Sequence, residues 1–350
     1  MMQIIQNPTI EPQMGALYSL PLASILCVTY NQVDYIRQCL DGLVMQQTDF
    51  PFEIIVYDDA STDGTQDIIR EYEQKYSHII NPIYQTENQY SKRIRVFPTY
   101  IYPKAQGKYI AMCEGDDYWT DPLKLKKQVL FLEQNPDYSL VYTNYRQYFQ
   151  KTGMWKEPSE GVDEGDVYES LLCRRIRCQI LTTCFRQDIL EKMPNLPEDF
   201  FHGDLKLFLS AALCGKFKYL PDITAVYRIL PISMSHFLSY KEDLAFSYET
   251  TKTTLFFMER YPITRTKENL IIIKTHYFLI TRHALLSGNY SEMGYVKFLL
   301  SPLWTMGSVT NTILCVLCKY KLFFFLISKI ANIFMLKKWQ RKYEKLLYSK

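Results

Sequence analysis

Several polar runs in the chain carry residue types suited to chemistry, and each of them follows or opens a predicted element. The first is Thr29-Tyr30-Asn31, a polar end to an apolar stretch. The second is Asp58-Asp59-Ala60-Ser61-Thr62-Asp63-Gly64-Thr65, three carboxylates within six positions. A helix cap needs one acceptor there, supplied by Ser61 or Asp63, so the run holds more carboxylates than capping uses. An Asp at a strand end is placed to accept hydrogen bonds from a base ring N–H or a ribose hydroxyl. The third run, Glu114-Gly115-Asp116-Asp117-Tyr118-Trp119, sets adjacent carboxylates together. Such a pair repels itself unless a cation or solvent screens it. An oxygen-rich set of this kind suits Mg²⁺ or Mn²⁺, which joins one or two carboxylates to substrate phosphates. The fourth run is Phe201-His202-Gly203-Asp204, where Asp204 reads either as a helix cap or as a general base. Last come Tyr227-Arg228, with a guanidinium suited to phosphate, and then Ser233, Ser235 and His236.

The elements that must position these groups are predicted from hydrophobic spacing. Strands are expected over Ala23–Thr29, Phe52–Tyr57, Ile79–Gln85 and Tyr109–Cys113. Helices are expected over Tyr35–Met45 and Gly64–Tyr76. This alternation implies parallel βαβ units of the α/β class, with ligands bound beyond the C-terminal ends of the strands. Downstream, a helix over Leu123–Glu133 precedes strands at Leu140–Asn144 and Gln179–Thr183. A helix over Leu205–Leu213 and a strand at Ala225–Ile229 complete this region, and the pattern after His236 is helical. Three regions are expected: a leader over residues 1–20, a catalytic domain over 21–236, and a helical extension over 237–350.

The strings V-T-Y-N, Y-D-D-A-S-T-D-G-T, G-K-Y-I-A-M-C-E-G-D-D-Y-W and H-G-D-L, in this order, resemble the motifs of glycosyltransferase family 2. The resemblance runs from Leu22 to His236. It implies a GT-A fold: a Rossmann-like, mixed but mainly parallel sheet flanked by helices. It also implies inverting transfer of a hexosyl or N-acetylhexosaminyl group from a nucleoside-diphosphate sugar, expected to be UDP-linked, with Mn²⁺ or Mg²⁺. The acceptor expected is a hydroxyl of a glycan or lipid-linked sugar in surface polysaccharide synthesis. Carried over, Thr29, Tyr30 and Asn31 would flank the nucleotide and Asp59 would contact the base. Asp116 would serve ribose and metal, Asp117 the metal, Asp204 would be the base, Arg228 would face the diphosphate, and His236 the metal. The chain departs from the family where Glu114 stands for the first Asp of the D-x-D motif, and where Gly203 precedes Asp204 in place of Glu.

Other classes fit less well. The turn after the first strand has no Gly-x-Gly-x-x-Gly for a dinucleotide and no Gly-rich basic loop for a nucleotidyltransferase. A non-catalytic sugar-nucleotide-binding or membrane scaffold of the same fold is the remaining alternative. Charge is uneven: residues 301–350 hold nine Lys or Arg against one Glu, while the rest holds 31 basic groups against 36 acidic. With apolar runs beside it, this tail is expected to bind an anionic membrane face, not nucleic acid. The stretch Phe298–Cys318 is uncharged but diluted by Ser, Thr, Asn, Pro and Gly, which favours a packed or interfacial helix pair over a span. With no export signal read at the N-terminus, the nine cysteines are expected to be reduced, Cys315 and Cys318 included, and the protein cytoplasmic, peripheral on the inner membrane face.

Overall fold

The computed structural model describes residues 20–157, 163–172, 178–195, 203–230, 240–263 and positions 266, 283, 286, 287, 326 and 329. The leader, His202, His236, Cys315, Cys318 and nearly all of the basic tail lie outside these residues.

The first half folds as predicted. Strand β1 (Ala23–Thr29), helix α1 (Ile36–Val44), β2 (Phe52–Asp58), α2 (Thr65–Lys75), β3 (Ile80–Tyr84) and β4 (Tyr109–Met112) alternate. β1 and β2 are apolar and buried almost throughout, because a parallel strand is covered by helices on its faces. α1 turns Ile36, Cys39, Leu40 and Leu43 inward, a three-to-four spacing that makes one apolar stripe. β1 pairs in parallel with β2 on one side and with β4 on the other, and β2 pairs in parallel with β3. The chain thus leaves the centre of the sheet in both directions from β1, which opens a crevice at the strands' C-terminal ends.

Beyond β4 come β5 (Tyr118–Trp119), α3 (Lys124–Gln134), β6 (Tyr138–Phe149), β7 (Met154–Lys156), α4 (Tyr168–Leu172), β8 (Thr183–Arg186), α5 (Ile189–Lys192), α6 (Gly203–Cys214), β9 (Lys216–Ile229) and α7 (Tyr240–Arg260). The sheet runs β3-β2-β1-β4-β8-β6-β9-β5, with β7 on β6. β8 pairs antiparallel with both β4 and β6, so the sheet is mixed.

Three expectations need correction. Gln179–Thr183 is not a strand: Ile180–Thr182 is a 3₁₀ turn, and the strand starts at Thr183. Thr182 Oγ1 donates to Gln179 O (2.7 Å) and Thr183 Oγ1 to Ile180 O (2.8 Å), and such back-bonding hydroxyls favour a turn. β6 and β9 are also longer than Leu140–Asn144 and Ala225–Ile229. Their added residues, such as Tyr145, Arg146 and Lys218, reach solvent and hide the apolar alternation.

The chain divides into two compact units. The first runs through Arg146 and adds Cys178–Lys192 and Cys214–Tyr227; the second takes Gln147–Arg177, Met193–Leu213 and the chain from Arg228 onward. Among the described residues, Cys27, Cys39, Cys113, Cys184 and Cys214 are free thiols. No helix among the described residues is long and apolar enough to cross a membrane.

Candidate active site

The first three polar runs meet at the C-terminal ends of β1, β2 and β4, all in the first unit. Thr29 stands beside Asp58 in the β1–β2 register, and Asp59 N–H donates to Thr29 O (3.0 Å). On the other flank Gly115 N–H donates to Val28 O (2.9 Å). Glycine is required there by contact: a Cβ would lie 2.4 Å from Gln32 Oε1 and 2.8 Å from Thr29 Oγ1. The acidic run can therefore lie against the first polar loop only with no side chain at 115.

The loop after β1 and the loop after β2 are laced together. Asn31 N–H donates to Ser61 Oγ (2.8 Å), Thr62 N–H to Asn31 Oδ1 (2.9 Å) and Val33 N–H to Asp63 Oδ2 (3.0 Å). Asp63 Oδ1 also accepts from Thr65 N–H at the start of α2 (3.0 Å). Ser61 thus serves the neighbouring loop rather than α2, whose residue of entry, Gly64, turns at φ +102°. Burial works to raise the Asp63 carboxyl, but hydrogen bonds from Thr65 and Val33 outweigh it and hold the group below the usual carboxylate range. Two residues other than glycine take left-handed backbone here, Asn31 at φ +49° and Ala60 at φ +66°.

Asp59 is buried, and its carboxylate accepts from Gln89 N–H (2.8 Å), Tyr90 N–H (3.0 Å) and Tyr57 O–H (2.9 Å). It therefore fastens the loop after β3, which carries Lys92, Arg93 and Arg95. These three cations were not singled out from the sequence, although three within four positions was a readable signal. Asp58, equally buried, uses Oδ1 for Ser61 N–H (2.9 Å) and Gln66 Nε2 (2.6 Å), while its buried Oδ2 has no hydrogen-bond partner. Tyr30 is 47% exposed, so its ring face is open to a ligand.

In the acidic turn, one carboxylate oxygen from each of Glu114, Asp116 and Asp117 gathers within 4.8 Å of the others. Asp117 is buried, and Glu114 and Asp116 reach solvent. Three hard oxygen donors at this spacing fit a divalent cation such as Mg²⁺ or Mn²⁺, and Glu114 takes part despite its departure from Asp. α1 holds the following segment in place. A Cβ at Gly42 would lie 2.7 Å from Trp119 O, and Gln46 bonds both Asp121 O (2.9 Å) and Leu125 N–H (3.0 Å).

The second unit holds two more of the candidates. Asp204 sits one residue inside α6, in its first turn. Removal from water by the protein packed around it pushes its carboxyl up to about 6. Arg228 is buried at the end of β9 and its Nη1 donates to Gln150 Oε1 (3.2 Å).

Comparison with known proteins agrees with this geometry. Residues 24–192 match the family described as glycosyl transferase family 2. An uncharacterized protein of Mycobacterium tuberculosis is 36% identical over 207 residues, 59% of this chain and 58% of that protein. An Escherichia coli UDP-Glc:alpha-D-GlcNAc-diphosphoundecaprenol beta-1,3-glucosyltransferase is 35% identical over 143 residues, 40% of this chain and 53% of that one. The chain thus spans little more than half the length of either relative. The crystal structure of Staphylococcus aureus TarS 1-349 in complex with UDP-GlcNAc superposes with a TM-score of 0.61 at 17% identity, covering 89% of this chain and 90% of that one. That likeness establishes the GT-A fold. Residues 24–192 carry a glycosyltransferase family 2 domain.

Proposed function

We propose that the protein is an inverting, metal-assisted glycosyltransferase that takes its sugar from a UDP-linked donor. The observation that carries this reading is the convergence of Glu114, Asp116 and Asp117 within 4.8 Å at the crevice of a family 2 domain. TarS was crystallised with UDP-GlcNAc, and the Escherichia coli relative is named for a UDP-Glc donor, which supports uridine as the base. Thr29, Tyr30 and Asn31 would line the nucleotide, with the exposed ring of Tyr30 against the base. Asp59 would act at the base both by its own edge and by holding the loop with Lys92, Arg93 and Arg95. Arg228 would meet the diphosphate, and His236 would join the metal ligands.

Glu114, Asp116 and Asp117 would hold Mn²⁺ or Mg²⁺, whose chemistry is to offset charge on the departing diphosphate. Asp204 would take the proton from the acceptor hydroxyl as that oxygen bonds to the anomeric carbon. The bond from that carbon to the diphosphate breaks on the opposite face, and its electron pair leaves with the nucleotide. A carboxyl near 6 is ionised at neutral pH and can act as this base. A glycan or lipid-linked acceptor at an anionic membrane face, reached through the basic tail, completes the proposal.

The test is UDP release from UDP-GlcNAc and UDP-Glc with added Mn²⁺, alone and with lipid-diphosphate acceptors. Mn²⁺-dependent release from either donor is expected. No release, together with no stabilisation of the protein by UDP and Mn²⁺, would contradict the reading.

A further inference from the structure

A strongly basic segment joins β3 to β4. Residues 88–113 hold Lys92, Arg93, Arg95, Lys104 and Lys108 and no Asp or Glu. They stand within a body, residues 1–300, in which 31 basic groups face 36 acidic. Lys108 pairs with Glu133 (2.7 Å), and Lys92 with Glu87 at the start of the loop. Arg93 and Lys104 are exposed and join no carboxylate among the described residues. Tyr90, in the same turn as Lys92 and Arg93, is 42% exposed.

The loop presents these groups on a fixed frame. Gln89 O accepts from Lys92 N–H (3.1 Å) and Ile94 N–H (3.1 Å), Tyr90 O from Arg93 N–H (2.9 Å), and Asn88 Oδ1 from Ser91 N–H (2.7 Å). The Asp59 carboxylate then holds the N–H groups of Gln89 and Tyr90. Arg93 takes left-handed backbone at φ +59°. Glycine or asparagine meets that conformation at less cost, and no ion pair among the described residues offsets the strain of an arginine there. These cations are also poorly placed for a diphosphate at the acidic turn. The loop is fastened at the end of β2, and β1 stands between β2 and β4. Two strand spacings, about 10 Å, therefore separate its anchor from that turn. Another anion is the fitting partner. Cations beside a half-exposed tyrosine ring suit a lipid headgroup layer, where phosphates meet the charges and the ring sits at the boundary with its hydroxyl in water.

We infer that the loop at residues 88–95 is a membrane-docking surface, which sets Tyr90, Lys92 and Arg93 against the phosphates of an anionic phospholipid bilayer. This rests on the membrane half of the function proposed above, and it gives that half a contact on the folded domain besides the basic tail. Because Asp59 ties the loop to the end of β2, docking turns that edge of the crevice toward the bilayer.

The experiment measures binding of the full chain to phosphatidylcholine vesicles with and without phosphatidylglycerol. Wild type is compared with a loop variant, Lys92→Gln with Arg93→Asn, and with a control of equal charge loss. The control is Lys151→Gln with Lys156→Gln, at the exposed tip of the β6–β7 hairpin. Asparagine suits left-handed backbone, so the loop variant should fold at least as stably as wild type. Wild type should prefer the anionic vesicles. Each cation contributes about fivefold at such a surface, so the loop variant should bind them roughly 25-fold more weakly, and the control should lose clearly less. Equal binding by the loop variant, an equal loss in the control, or a wild type indifferent to phosphatidylglycerol overturns the inference. UDP binding with Mn²⁺, measured without vesicles, separates the rival. A loop variant that loses UDP and keeps the vesicles shows that the cations serve the donor, which also overturns it. If no form binds UDP, the donor reading fails and the vesicle result still decides the docking. Tyr90→Trp reports the contact directly: its added fluorescence should be quenched by phosphatidylcholine spin-labelled on the headgroup, and an unquenched signal overturns the contact.

Discussion

Two acidic turns flank the loop after β1 in this fold and use their carboxylates in opposite ways. After β2, Asp59 and Asp63 turn inward onto backbone N–H groups and bind three loops into one floor. After β4, Glu114, Asp116 and Asp117 turn toward one another, within 4.8 Å. The two runs look alike as strings, three carboxylates each near a strand end. The difference arises from their neighbours. The first turn faces the N–H groups of two flanking loops, while the second is pressed by Gly115 against Thr29 and Gln32 of the loop after β1. A cluster of acids therefore reads as a framework where donors surround it and as a cation site where carboxylates meet.

Substitution can break this comparison. The largest effect should come from outside both turns, which sets the scale. Asp204→Asn should lower turnover on the order of 10²–10⁴-fold while donor binding survives. Wild-type turnover should also fall as pH drops through about 6, because the base must be ionised. A variant with near-normal turnover would move the base elsewhere. Next, Asp59→Asn presents an amide NH₂ to donors that need an acceptor, and should cost about 1–3 kcal/mol in urea unfolding. If the framework reading is correct, its Mn²⁺ affinity should nonetheless match wild type. Asp63, whose folded-state pKa is depressed, adds stability at neutral pH that is lost as pH falls below the usual carboxylate range.

Gly115→Ala sharpens the contrast, because it parts the acidic turn after β4 from the loop after β1 without removing a carboxylate. The added methyl meets Thr29 and Gln32 and should cost about 1–3 kcal/mol, with weaker nucleotide binding measured by calorimetry. The smallest change is expected for Ala60→Gly. Left-handed backbone costs an alanine roughly 1–2 kcal/mol, part of which the greater freedom of unfolded glycine cancels. A gain of up to about 1 kcal/mol in stability is expected, and a clear loss would show that the alanine methyl does something else.

Much of this was legible before folding. The βαβ start was readable because parallel strands bury both faces and stand out as apolar runs between amphipathic helices. The acidic turn was readable because adjacent Asp residues demand an explanation. Asp59's inward role was not, since its partners Gln89 and Tyr90 lie thirty residues away and donate only backbone N–H. Lys124 escaped notice for a related reason: a lysine at a helix start looks solvated until the packing of Trp119 and Gln128 encloses it. The far ends of β6 and β9 were lost because tyrosine and charged side chains blur a period of two.

The central claim is that the turn after β4, and not the turn after β2, is the cation-dependent donor site. The most direct test compares UDP binding with and without Mn²⁺ in wild type, Asp117→Asn and Asp63→Asn, all confirmed as folded by circular dichroism. Mn²⁺ should strengthen UDP binding in wild type and in Asp63→Asn, and lose that effect in Asp117→Asn. Persistence of the Mn²⁺ effect in Asp117→Asn, with its loss in Asp63→Asn, would contradict the account.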